Sequence, residues 1–128
     1  MTNKLEAENL VDVPTVEEYK AAFLDCRREL TEKQMEMLRQ NYYALEHTVT
    51  AGDLARLVGF ANFNAANMQY GTYAGHLCVA LGRKPPTTKV AILVRFSGKD
   101  LRDENVRWTL HPQVVQALEE LRWVKKRA

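Results

Sequence analysis

From residue 16 onward, apolar side chains recur at helical spacing. Val16, Tyr19, Phe23 and Cys26 share one side of a first helix, and Met35, Leu38, Tyr42 and Leu45 one side of a second. Each run opens on a capping box, Thr15 to Glu18 and Thr31 to Gln34. In such a box the threonine hydroxyl accepts from the amide three residues on, and the Glu or Gln side chain reaches back to the threonine amide. No Gly or Pro interrupts the chain between residues 15 and 51, so the pattern predicts a helix over about 15–28 and a second opening at Thr31. Residues 1–13 show no such period and read as a flexible N-terminal arm.

Shorter elements follow. Thr50, with Asp53 three residues on, starts a short helix carrying Leu54, Leu57 and Val58, and Gly59 suits its left-handed stop. After Phe60-Ala61-Asn62-Phe63, Asn62 or Asn64 can cap a longer helix over about 64–81 that ends before Gly82. Val90 to Phe96 is a β-branched apolar run that reads as a strand, and Val106 to Leu110 alternates like its partner across a polar loop. His111-Pro112 opens a final helix whose buried side holds Val115, Leu118, and Leu121 or Trp123. The expected fold is α+β, mostly α. It is a winged helix-turn-helix with two N-terminal helices, a two-stranded wing and a C-terminal helix, one domain over 14–124 followed by a basic tail, 125–128.

Composition narrows the class. With 128 residues, 46% hydrophobic and 27% charged, the chain has the make-up of one globular domain. No apolar run approaches the roughly 18–20 residues a membrane span needs. The polar, acidic start does not read as a signal or transit peptide, and a cytoplasmic setting is expected. Cys26 and Cys78 could pair, but both sit in predicted amphipathic helices and read as buried free thiols, in keeping with a reducing compartment.

Net charge is only +2, yet it is unevenly spread. Residues 1–66 hold 7 Lys/Arg against 11 Asp/Glu, and residues 67–128 hold 11 against 5. Between residues 54 and 99 there is no Asp or Glu at all, while Arg56, Arg83, Lys84, Lys89, Arg95 and Lys99 all lie there. A surface meeting phosphate tolerates few carboxylates, so the gap points to nucleic acid, unless the two halves simply neutralise each other in the fold. In a helix-turn-helix the second helix enters the major groove. Wheeling the longer helix puts Tyr70, Ala74, Leu77, Cys78 and Leu81 inward, with Asn67 at the edge, and Ala65, Gln69, Thr72, His76 and Arg83 outward. Gln69 then suits an adenine edge, and Thr72 a thymine methyl or a phosphate. Tyr70 and Tyr73 read first as core or rim residues, though a tyrosine beside the groove, Tyr73 above all, could also stack on an extruded base. Asn62 and Asn64 could meet phosphate at the helix start, Lys84 and Lys89 add positive charge, and Lys99 and Arg102 are the wing's contacts. Each has a plainer role open to it: cap residues for the asparagines, a solvated helix face for Gln69 and Thr72. Gly71 and Gly75 cost helix propensity, which either close packing or a close approach of DNA backbone would explain.

The stretches Thr48-Val49-Thr50-Ala51-Gly52-Asp53-Leu54-Ala55, Val58-Gly59-Phe60, Ala65-Ala66-Asn67-Met68-Gln69-Tyr70-Gly71 and Trp108 … His111-Pro112 … Trp123-Val124 resemble a small bacterial winged-helix-like module. Such modules stand alone or beside HNH-type nucleases of modified-DNA restriction systems. The likeness spans roughly residues 30–124. It implies binding to double-stranded DNA, modified bases included, in a restriction or defence setting, with a homodimer or a nuclease as partner. The nuclease part has no counterpart here, since the chain carries no His-Asn-His metal constellation.

Catalysis is not expected. His47, His76 and His111 fall in different elements, and no phosphate loop, nucleophile elbow, paired-histidine motif or cysteine cluster is present. His76 and Cys78, the pair worth inspecting, are two apart and so on different helix faces. No cofactor or metal is expected. A protein-interaction or dimerisation module on the same scaffold is the alternative, with the acidic first two helices as its interface.

Overall fold

A computed structural model describes residues 4–126. It shows a mixed α+β fold, mostly helical, with one small antiparallel sheet. In chain order the elements are α1 (Lys4–Glu8), α2 (Val16–Asp25), α3 (Glu32–Tyr43), β1 (Thr48–Thr50), α4 (Ala51–Val58), α5 (Phe63–Leu81), β2 (Val94–Ser97), β3 (Arg107–Leu110) and α6 (Pro112–Glu120). Both capping boxes form as expected, at Thr15 with Glu18 and at Thr31 with Gln34. Thr50 and Asn62 cap α4 and α5, and Gly59 and Gly82 end them with φ of 86° and 70°, a conformation that costs glycine nothing.

The sheet has three strands, ordered β1-β3-β2. β1 is the strand the sequence reading missed. Thr48, Val49 and Thr50 face Thr109, Trp108 and Arg107, and Thr50 serves at once as last strand residue and cap of α4. Val90 to Phe96 is not the continuous strand expected. Lys89–Ile92 form a 3₁₀ turn against α5, and the strand starts only at Val94. Every residue from Val90 to Val94 is buried, and a run apolar on all sides carries no period that separates strand from turn.

The N-terminal arm is not loose in its described part. Leu5 of α1 is buried, and the Asn9 side chain pairs with the edge of β2, its Nδ2 donating to Phe96 O (2.8 Å) and its Oδ1 accepting from Phe96 N (2.8 Å). One carboxamide thus satisfies the edge groups that a neighbouring strand would take. The first three residues of that arm and the last two of the basic tail lie outside the described residues.

α5 is the axis of the molecule, with α2, α3, α4 and the Lys89–Ile92 turn packed around it. Its buried side carries Ala66, Tyr70, Tyr73, Ala74, Leu77 and Cys78. A polar joint lies beneath it. Asn41 on α3 is fully buried, its Nδ2 donating to His47 O (2.9 Å) and Trp108 O (3.1 Å) while its Oδ1 accepts from Tyr70 (3.0 Å). Four segments of the chain are thus tied together at this one buried side chain, whose own donor and acceptor are satisfied. His111 fixes the start of α6, its amide donating to Leu93 O (3.0 Å) and its Nε2 bonded to Ala91 O (2.8 Å). Burial lowers the pKa of this imidazole below the usual histidine value. Cys26 and Cys78 are free and buried, and burial raises both thiols, which suits packing rather than reactivity.

Candidate nucleic-acid interface

Helices α4 and α5 are joined by only four residues, Gly59 to Asn62. The turn is tight because Gly59 and Phe60 amides both return to Ala55 O (3.0 and 2.8 Å), while Asn62 Oδ1 accepts the Ala65 amide (3.0 Å) to start α5. Lys33 of α3 donates to Val58 O, the last carbonyl of α4, and stands 5.8 Å over the Phe60 ring. A cation at a helix C-terminus meets the negative end of its dipole, so this contact both closes α4 and brings positive charge to the turn.

The open side of α5 follows from its packing. Asn64, Asn67, Met68, Thr72, His76 and Val79 are exposed. Most of them recur every three or four residues, and so form a stripe opposite Tyr70, Tyr73 and Leu77. No charged residue belongs to the stripe itself. Lys89 reaches it from the side, its Cδ 3.5 Å from where a Cβ on Gly75 would stand. The Lys89–Val90 segment is also what covers Gly71, where a Cβ would meet Val90 Cγ2 at 3.9 Å. Both distances are ordinary contact, so packing does not require glycine at either position.

Of the residues singled out in the sequence, Asn64, Thr72 and His76 lie on this open stripe, and Asn62 sits just before it, its oxygen occupied as cap. Gln69 is half-buried and turned toward α3, with Gln34 Nε2 3.3 Å from its backbone oxygen and 3.4 Å from its Oε1. Tyr73 does not reach the surface. It is fully buried, its ring stacked on Phe23 at 6.4 Å and its hydroxyl enclosed beside the Cys26 thiol, with burial raising the phenol pKa. Arg83 is half-buried and donates to Asp12 O in the N-terminal arm. Lys84 is exposed beyond the end of α5.

Lys99 and Arg102 are exposed on the loop between β2 and β3, away from the stripe in sequence and in company with Asp100, Asp103 and Glu104. That loop has a structural task of its own. Glu104 O and Val106 O accept the Gly52 and Ala51 amides (2.8 and 3.0 Å), so the loop caps the first turn of α4. A Cβ on Gly52 would stand 3.1 Å from Glu104 O, a tight approach that favours glycine here. The two residues the sequence reading passed over are Asn67, set at the edge of the core, and Met68. Both are exposed, Met68 at 69%.

A separate open cleft of about 840 Å³ lies beside α6 and the outer face of the sheet, lined in part by His47, His111, Arg95 and Glu119. Three of its titratable groups are held in structural bonds, His47 Nδ1 to Tyr42 O (2.6 Å), His111 Nε2 to Ala91 O and Glu119 Oε2 to the Tyr42 hydroxyl (2.6 Å). His76 and Cys78 sit on opposite sides of α5, one exposed and one buried. Among the described residues no group of three or more His, Cys, Asp or Glu is placed to hold a metal, and no helix is long and apolar enough to cross a membrane. Compared with family models, curated proteins and solved structures, the chain matches none.

Proposed function

We propose that the chain binds double-stranded DNA through a winged helix-turn-helix, α4 and α5 forming the motif and the outer stripe of α5 entering the major groove. The observation that carries this reading is an exposed helix face of short polar side chains within a segment, residues 54–99, that contains no carboxylate. The order helix, strand, helix, helix, hairpin and the sheet order β1-β3-β2 support it, because they set the β2–β3 loop beside the first turn of α4. The contact set differs from the one expected from the sequence. Asn64, Asn67, Met68 and Thr72 face the bases, His76 extends the stripe into the C-terminal half of α5, and Lys33 and Lys89 flank it toward phosphate. Lys99 and Arg102 contribute less, because three acids share their loop. A restriction or defence setting, with readout of modified bases, belongs to the same proposal.

A second reading draws on the apolar part of the stripe. Met68 and Val79 are 69% and 79% exposed, which would suit a protein partner or a second copy. Fluorescence anisotropy with unmodified and cytosine-modified duplexes over a salt series separates the two. DNA binding predicts affinity that falls with salt, with a log–log slope of about 0.9 per phosphate contacted. It also predicts clear weakening in Asn64→Ala/Thr72→Ala, whose exposed side chains leave the core intact. Absence of binding to any duplex at low salt overturns the DNA reading and favours the partner.

A further inference from the structure

We infer that the open stripe of α5 selects A·T base pairs in the major groove, an inference that rests on the DNA-binding reading above. In helix-turn-helix docking the N-terminal residues of the second helix meet the base edges. Here these are Asn64, Asn67, Met68 and Thr72, all exposed. Guanine is most often read by the two-pronged contact of an arginine, or by a lysine, on O6 and N7. This half of the helix has neither.

The cations around it are committed elsewhere. Arg56 is paired with Asp53, Lys33 with Val58 O and Arg83 with Asp12 O, and Lys89 lies over Gly75 in the C-terminal half. Lys33, Arg83 and Lys89, whose partners are uncharged, supply a positive border suited to phosphate while leaving the base-facing centre uncharged. That centre has the chemistry of the other base pair. A carboxamide offers one donor and one acceptor side by side, matching adenine N7 and N6, and among the described residues neither Asn64 nor Asn67 spends its side chain on a hydrogen bond. Between and beside them Met68 projects an apolar thioether, a fit for the thymine C5-methyl group.

The test is anisotropy of the full chain, at one low salt concentration, with three sets of short mixed-sequence duplexes: A·T-rich, the same with uracil for thymine, and G·C-rich. The inference expects the A·T set to bind roughly tenfold more tightly than the G·C set, near the lower end of what one good base contact confers. It expects uracil, which lacks the methyl group, to lose part of that gain, and Asn64→Ala/Asn67→Ala/Met68→Ala to level the three sets with the fold intact by circular dichroism. Equal binding to all three sets by the unaltered chain overturns the inference while the DNA-binding reading stands. A preference for G·C does the same. An A·T preference that survives in the triple variant also overturns it, because the selection then comes from duplex shape rather than from these side chains. No binding to any set overturns both.

Discussion

The two sides of α5 obey different rules. Inward, Tyr70, Tyr73, Ala74, Leu77 and Cys78 are wholly buried, and Tyr70 also holds the fold together by donating to Asn41. Outward, Asn64, Met68, Thr72, His76 and Val79 carry nothing of the fold. A helix of 19 residues with helices on several sides could close over completely, yet this one leaves a strip of amide, hydroxyl, thioether and imidazole in water. Side chains that stability does not require are free to meet a ligand. The reading of α5 as a recognition helix therefore rests on how sharply the two sides divide.

The strongest test of that division compares Leu77 with Val79, two residues apart and on opposite sides. Leu77 is 0% exposed and Val79 is 79% exposed. Leu77→Ala should lower the unfolding free energy by about 2–5 kcal/mol, since the transfer loss and the cavity add. Val79→Ala should change it by less than about 0.5 kcal/mol. Urea denaturation of both variants measures the contrast, and comparable losses would mean that the open stripe is covered in solution. A step down in size is Tyr70→Phe. The ring would keep its 5.5 Å packing on Trp108, but Asn41 Oδ1 would lose its donor in a dry site. The expected cost is about 1–2 kcal/mol, read from the same denaturation midpoint with an unchanged slope.

Much of this division was legible in the sequence, and the part that was not has an identifiable cause. The caps of α2, α3, α4 and α5 were readable because capping is local, a side chain bonding an amide a few residues away. The inward residues Tyr70, Ala74, Leu77 and Cys78 were readable from their period. The outer face, read as Ala65, Gln69, Thr72, His76 and Arg83, stands about 40° at 100° per residue from the stripe the structure exposes, Asn64, Met68, Thr72, His76 and Val79. Tyr73 joins the buried side, Gln69 turns toward α3, and Met68 comes to the open side, with Asn67 exposed at the edge of the core. Tyr73, three after Tyr70 and four before Leu77, falls on the inward side by its period, whereas its stacking on Phe23, from a distant helix, leaves no local trace. Asn41 was invisible for the same reason, since two of its partners, Tyr70 and Trp108, lie 29 and 67 residues away. β1 did have a signal in Thr48-Val49-Thr50, but three residues beside a helix cap are too few for alternation to register.

The smallest expected effect falls on the border between the two sides, at Gly71. Glycine inside a helix costs about 1 kcal/mol against alanine, and a natural helix with two of them four residues apart gives up stability at both. Close packing is the usual compensation, but at Gly71 the nearest atom to an added methyl would be Val90 Cγ2 at 3.9 Å, an ordinary contact. Gly71→Ala should therefore raise the unfolding free energy by about 0.5–1 kcal/mol, seen as a higher midpoint in thermal or urea denaturation. If the glycine is kept for the close approach of DNA backbone to α5, the same variant should bind duplex DNA more weakly than the unaltered chain. A variant that is both more stable and weaker in binding would separate fold from function at a single atom. A variant that is less stable would show that the Lys89–Val90 segment presses on α5 harder than its contact distances indicate. The glycine would then belong to the packed side, and the open stripe would begin one helical position further out, at Met68 and Thr72.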